Sequence, residues 1–470
     1  MNIFSKKVLK QMAVLVVLAL LATSLMACGN SGESAPAATA ENKTETKAAD
    51  PQGGKEEAPA ALKGDIRMWT FLNPTGTDGR SVALKQMLES FKAKYPDVKV
   101  TVEPQTWDVM TGKFFAAHKA GNAPDVMWVL QDELGTAIKL GTLEPLENLF
   151  LKDWSAEEIA DVDDAFWSMG ASDGKHYQAA LSRNYFGIIY REDLFKEKGL
   201  AVPKTWDELV EAGKKLTEVD ARTGIQRYGL GQAFSVDKAD AQIGAGAILA
   251  GQGSLFTADG KANFNNDVVK KAMDMQLDMV RVHKITPETA LTSTPEDLYK
   301  DFSAGKYAMI MGAGVRVSKL QAEATFGPEA VQFMLLPGSD GSKNSPTPIA
   351  GWSVGVWSGS KNKEAAGRLV EHMISPEADK LWVTAGGQVP FRKSTVASES
   401  AFFTENKNKF LAVMAEGFAK AGWAQPTDFA ISGWRIDLNT VAQDVLANGM
   451  TVDKALEKAE KAFNDRNGSK

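Results

Sequence analysis

The chain has 470 residues, of which 44% are hydrophobic and 24% charged, with a formal net charge of −6. That length suits two or three domains of about 100–200 residues, and the apolar-to-charged balance excludes a mostly disordered, fibrous or polytopic membrane protein. The negative charge argues against a nucleic-acid partner. The single cysteine excludes an internal disulfide or a cysteine-cluster metal site.

Lys6, Lys7 and Lys10 precede an apolar run from Ala13 to Ala22. As a helix that run rises about 15 Å, well short of a bilayer core of about 30 Å. A basic start with a short apolar core reads as a secretory signal. The run closes in Leu25-Met26-Ala27-Cys28, which resembles the lipobox of bacterial lipoproteins. The resemblance implies removal of residues 1–27 and attachment of a diacylglycerol to the Cys28 sulfur, a two-chain anchor that holds stably. Loss of the three lysines takes the charge from −6 to −9. Residues 29–62 have no aromatic side chain and are rich in Ala, Glu, Lys, Gly, Pro and Ser. Such a segment buries too little apolar area to order itself, so 28–61 reads as the lipidated cysteine and a flexible tether with a reach of roughly 30–35 Å.

The body begins near Leu62. Residues 65–71 alternate as a strand, and Leu84, Met87, Leu88, Phe91 and Tyr95 then fall at helical spacing until Pro96. Val98, Val100 and Val102 alternate again. A helix follows over 107–120, an apolar strand over 126–130 and a helix over 132–140. This succession predicts a mainly parallel sheet with helices on both faces. A second set starts at Tyr185 to Tyr190. Thr205 caps a helix over 205–219, with Glu208 placed for a capping box. Asn266 or Asp267 opens another helix to about His283. Strand character returns at 307–311, 331–336 and 352–357. Helices dominate from Lys361, and Ser375-Pro376 starts a new one.

Six stretches in order resemble the extracellular solute-binding proteins of ABC importers, in the branch that takes up sugars. They are Ala123 to Val126 with Gly141 to Leu146; Tyr190 to Phe195 with Gly199, Leu200, Pro203 and Thr205 to Glu208; Phe302 to Met311; Leu336-Pro337-Gly338; Lys361 to Ile374; and Val389 to Arg392. Arg191 stands where the family often has Asn, and the family's aromatic near Val315-Arg316 is missing. The resemblance implies a two-lobe α/β fold, each lobe a mainly parallel sheet flanked by helices, with the ligand in the cleft between. Lobe one is expected at 62–182 plus 304–346, and lobe two at 183–303 plus 347–470. It implies a monomer that carries a carbohydrate to the transmembrane subunits of an ABC permease, without a cofactor, on the outer face of a cell membrane.

A sugar offers apolar ring faces and a rim of hydroxyls, so its site needs flat aromatics and fixed polar groups. Strand ends and glycine-flanked turns supply the candidates. Trp69 and Asn73 follow the first strand, Gln105 the second, and Trp128 and Gln131 the third. Asn184 lies at the first lobe crossing and Trp352 at the crossing after Gly351. Trp434 follows Ser432-Gly433. Arg316, Arg392 and Phe234 complete the set on loops. For each, a core or hinge role is the competing reading.

Gly351-Trp352-Ser353-Val354-Gly355 matches the nucleophile-elbow spacing, but that elbow needs a helix after the serine, and Ser353 lies within strand-like sequence. The Gly-Lys pairs lack a following Ser or Thr, and neither GxGxxG nor HExxH occurs. The four histidines, His118, His176, His283 and His372, are far apart, so no metal site is expected. Two alternatives remain open: a tethered polysaccharide-degrading glycoside hydrolase, which would use paired carboxylates, and a lipoprotein serving only as a protein-interaction module.

Overall fold

The computed structural model describes residues 62–221, 223–237, 239, 255–338, 347–424 and 426–467. The signal segment, Cys28 and the tether lie outside the described residues. Eight strands carry the architecture: β1 (Gly64–Thr70), β2 (Val98–Pro104), β3 (Val126–Leu130), β4 (Ala179–Arg191), β5 (Gln226–Gly231), β6 (Tyr307–Ala313), β7 (Val331–Met334) and β8 (Thr347–Val356). The first sheet places β1 between β2 and β3, all parallel. Helices α1 (Gly79–Lys94) and α2 (Trp107–Lys119) make the crossovers, as parallel pairing demands. Strand β8 adds antiparallel to β3, and the first half of β4 pairs antiparallel to β8.

Strand β4 then leaves that sheet and enters a second one. Phe186 to Tyr190 pair antiparallel with β6, Ile188 to Arg191 pair antiparallel with β7, and β5 lies parallel to β6. All thirteen residues of β4 are buried, because both its halves are covered. One continuous strand therefore ties two sheets together.

Each sheet has its own apolar core. The first gathers Ile66, Met68, Val126, Trp128, Val354 and Val356 with α1 and with the helices over 363–373 and 376–384. The second gathers Ile188, Ile189, Leu230, Met309 and Phe333 with most of the later helices. In chain order the main further helices are α3 (Asp164–Gly170), α4 (Trp206–Leu216), α5 (Asp267–Arg281), α6 (Pro295–Ser303), α7 (Val317–Glu323), α8 (Lys363–Met373), α9 (Pro376–Thr384), α10 (Lys409–Ala421), α11 (Trp434–Leu446) and α12 (Val452–Asn467).

The lobe boundaries differ from those expected. Strands β6 and β7, in the stretch 304–346 assigned to lobe one, pack in the second core. Strand β8 with α8 and α9, assigned to lobe two, packs in the first. The reason is pairing: Val354 and Val356 of β8 lie beside Trp128 and Val126. Periodicity identifies a strand but not the edge it joins.

Local chemistry explains the helix starts. Asp78 accepts from the Ser81 N–H before α1, Thr205 from Glu208 before α4, Asn266 from Val268 and Val269 before α5, and Ser375 from Ala378 before α9. The capping box expected at Thr205 is only half made, because the Glu208 carboxylate accepts from the Lys204 N–H instead, at 2.7 Å. Arg191 is held by both oxygens of Asp193, at 2.7 and 2.5 Å, and stacks 3.6 Å from the Phe326 ring centre, a structural role. No described helix is long and apolar enough to cross a membrane.

Candidate functional site: a cleft between the two cores

A cavity of about 460 Å³ opens where the two cores meet. Its floor is the pair of crossing strands, with Ser182, Asn184 and Phe186 from β4 and Ala350 to Trp352 from β8. The first core adds Phe71 just past β1, Arg80 from α1, and Gln105 to Trp107 at the start of α2. The second adds Pro295 and Glu296 from α6, Val315 and Arg316 after β6, and Arg435 from α11. The site thus collects the carboxyl ends of β1, β2, β3 and β6, where open α/β sheets hold ligands.

Phe71 and Trp352 form a tilted pair with ring centres 5.0 Å apart, and Phe71 also meets Trp128 edge-on at 5.6 Å. The glycine before Trp352 is required by geometry. Gly351 has φ +146°, and a Cβ there would lie 1.9 Å from the Ser182 carbonyl oxygen. The close antiparallel pairing of β8 with β4, irregular just after Trp352, holds Trp352 at the cavity.

Charge is concentrated on arginine. Arg316 is ion-paired to Glu296 and stacks 5.1 Å from the Tyr299 ring centre. Arg435 is ion-paired to buried Asp132. Arg80 lies 5.3 Å from the Phe71 ring centre, half-buried. Burial, reinforced by the like charge of Arg316, pushes its pKa down to about 10. Beside the cleft, burial raises the pKa of Glu133, whose carboxylate accepts from the Ser432 hydroxyl at 2.6 Å.

Four of the eleven expected ligand residues line this cavity: Gln105, Asn184, Arg316 and Trp352. Asn184 also accepts from the Val315 N–H at 3.3 Å, so it fastens the floor to the second core. The other seven lie elsewhere. Trp69 of β1 is not among the lining residues and donates to Glu103 at 2.6 Å. Asn73 is exposed and closes a turn by accepting from Thr75. Trp128 is fully buried behind Phe71, against Trp382. Gln131 is buried, donating to the Met169 carbonyl and accepting from the Ser353 hydroxyl at 3.2 Å. Phe234 and Trp434 belong to the second core. Arg392 is buried on Asp161 and the Ile374 carbonyl. Gly433, expected to admit a ligand, instead faces the Arg466 guanidinium.

Sequence reading missed Phe71, Arg80, Trp107, Glu296 and Arg435 as lining residues. Trp107 was within reach of the strand-end rule, two residues after Gln105. Phe71, directly after β1, was within reach of the same rule; Arg80, Glu296 and Arg435 are set by helix orientation. The elbow-like serine is not presented as a nucleophile: Ser353 is fully buried within β8.

A model of the family described as bacterial extracellular solute-binding protein matches residues 75–380. The chain belongs to that family. These proteins act outside the cytoplasmic membrane, as the family description says. Among relatives, an uncharacterised lipoprotein of Streptomyces antibioticus is 22% identical over 63% of this chain and 64% of its own length, slightly under two thirds. The maltodextrin-binding protein of Bacillus subtilis strain 168 is 24% identical over 74% of this chain and 81% of its own. The fold matches solved solute-binding proteins. The GacH receptor of Streptomyces glaucescens, solved unliganded and with acarbose, aligns at TM-score 0.72 and 20% identity, covering 87% of this chain and 99% of the other. A Thermotoga lettingae protein bound to α-D-tagatose aligns at 0.73 and 23%, covering 85% and 99%. These neighbours share the two-lobe architecture, with the cleft of this solute-binding protein at the lobe junction.

Proposed function

We propose that this protein captures a carbohydrate for an ABC importer and delivers it unchanged to the membrane permease. The observation that carries this reading is the cleft itself: the tilted Phe71–Trp352 pair lines one cavity together with Asn184, Gln105 and Arg316, which come from both cores. Flat rings suit sugar faces, and amides and guanidiniums suit hydroxyls. Because the lining is divided between the cores, a ligand that touches both favours their approach by its difference in affinity for open and closed forms. The relative named for maltodextrin and the solved neighbours holding acarbose or tagatose support a saccharide. Glycoside hydrolysis fits less well, since it needs two carboxylates flanking the bond. Glu296 is the one carboxylate among the described lining residues, and Arg316 already engages it. The lipid on Cys28 and the tether complete the proposal: a monomer held at the outer face of the cell membrane.

The test is thermal unfolding of the full chain against mono- and oligosaccharides. A ligand at 100 times its Kd adds about 2.7 kcal/mol, a shift of a few degrees. A shift with one sugar family, recovered intact, supports the proposal. Recovery as shorter fragments indicates an enzyme, and a shift only with peptides or polyamines discards the saccharide.

A further inference from the structure

Arg80 differs from the other two arginines of the cleft. Arg316 has Glu296 and Arg435 has Asp132. The Arg80 guanidinium makes no hydrogen bond and no ion pair with any described residue, although it lines the cavity and rests over Phe71. The nearby carboxylates, Asp78 and Glu296, are otherwise engaged, one capping α1 and the other on Arg316. Folding has therefore moved a guanidinium out of bulk water, put it in the field of a second guanidinium and given it no acceptor. That arrangement costs stability in the empty protein. It is relieved by an oxyanion.

Position strengthens the point. Arg80 sits in the first turn of α1, where the helix dipole disfavours a cation. The starts of α2, α6 and α11 also border the cavity, through Trp107, Pro295 and Arg435. Among the described lining residues three guanidiniums, Arg80, Arg316 and Arg435, stand against one carboxylate, Glu296, in a protein whose net charge is −6. A neutral sugar would use Arg80 only through hydroxyls, leaving its charge unmatched.

We infer that the cleft selects an anionic sugar, in which a ring seated at Phe71 and Trp352 carries a carboxylate or phosphate that Arg80 takes with its guanidinium fork. The inference rests on the saccharide reading and narrows it. Guanidinium pairs with either oxyanion bidentately, so the shared chemistry is a sugar oxyanion.

The test uses ligand pairs that differ in charge. Glucuronate is set against glucose, digalacturonate against galactobiose, and glucose 6-phosphate against glucose, each titrated into the full wild-type chain and into Arg80→Gln. The expected result is an acidic member binding at least about tenfold tighter than its neutral partner, with that preference lost in Arg80→Gln. The preference should also shrink as salt is raised. Preference for a uronate or for the phosphate identifies the oxyanion. Equal binding of both members of every pair overturns the inference and leaves the saccharide reading standing. So does an acid preference that survives in Arg80→Gln. No binding by any member, acidic or neutral, overturns both. Arg80→Gln is expected to fold, with an unliganded unfolding temperature equal to or above wild type, because an uncompensated charge has been removed. A variant that unfolds several degrees earlier would show Arg80 to be structural and overturn the inference.

Discussion

Arg435 of α11 and Asp132, just after β3, form an ion pair that joins the second core to the first, and both are buried. Beside it the Ser432 hydroxyl donates to Glu133. The pair borders the cleft through Arg435, so it links the stability of the lobe junction to the site. Removing one partner leaves a buried charge alone, at about 3–5 kcal/mol. Arg435→Ala should lose that much in urea unfolding, and combining it with Asp132→Asn should restore part of it. A single mutant as stable as wild type would show the junction to be held by other contacts.

The buried tryptophans and the cleft tryptophan should separate by phenotype. Trp128→Ala and Trp434→Ala each delete a fully buried side chain and should cost about 3–5 kcal/mol. Trp352→Ala should instead weaken ligand binding about tenfold or more, equal to ~1.4 kcal/mol, with a smaller effect on folding. Calorimetric titration together with chemical unfolding reads both quantities.

Gly351→Ala should be poorly tolerated. Its φ of +146° strains any side chain, and the added carbon would meet the Ser182 carbonyl oxygen. Strain alone costs roughly 1–3 kcal/mol. Gly121→Ala, also at positive φ but with no atom within 4 Å of the added carbon, should cost less. The difference in unfolding free energy between the two isolates the close approach of β8 to β4 at Ser182.

Asp379 in α9 sets a pH dependence. Burial raises its pKa to about 6, against the opposing pull of the Thr395 side chain, the Phe391 and Arg392 N–H groups and the charge of Arg183. Between the ordinary value of 3.8 and about 6 the native state keeps a proton that the unfolded chain has released. This group's contribution to stability therefore falls as pH rises through that interval. Asp379→Asn should flatten the corresponding part of the profile in thermal unfolding from pH 4 to 7. His372 acts in the opposite sense: burial lowers its pKa below 6.5, so its contribution is present above that pH and is lost as pH falls. Variants with unchanged slopes would contradict these assignments.

Much of the fold was legible from local pattern. The alternation of 65–71, the helical spacing from Leu84 to Phe91 and the caps at Thr205 and Ser375 all correspond to observed elements. These features depend on neighbours a few residues apart, and such neighbours are visible in a string. Strand β8 was legible as a strand in the same way, yet its lobe was misassigned, because the partner of Val354 is Trp128, more than two hundred residues away.

The site divides along the same line. Composition and strand ends were enough to nominate Gln105, Asn184, Arg316 and Trp352. They could not tell Trp352, at the cavity wall, from Trp128 and Trp434, which are equally aromatic but packed behind it. They could not pair Arg392 with Asp161 or leave Arg80 without a partner. A side chain's type and its place on an element are local properties of the chain. Which face is covered, and whether a charge finds its counterion, is decided only when distant segments pack and water is excluded.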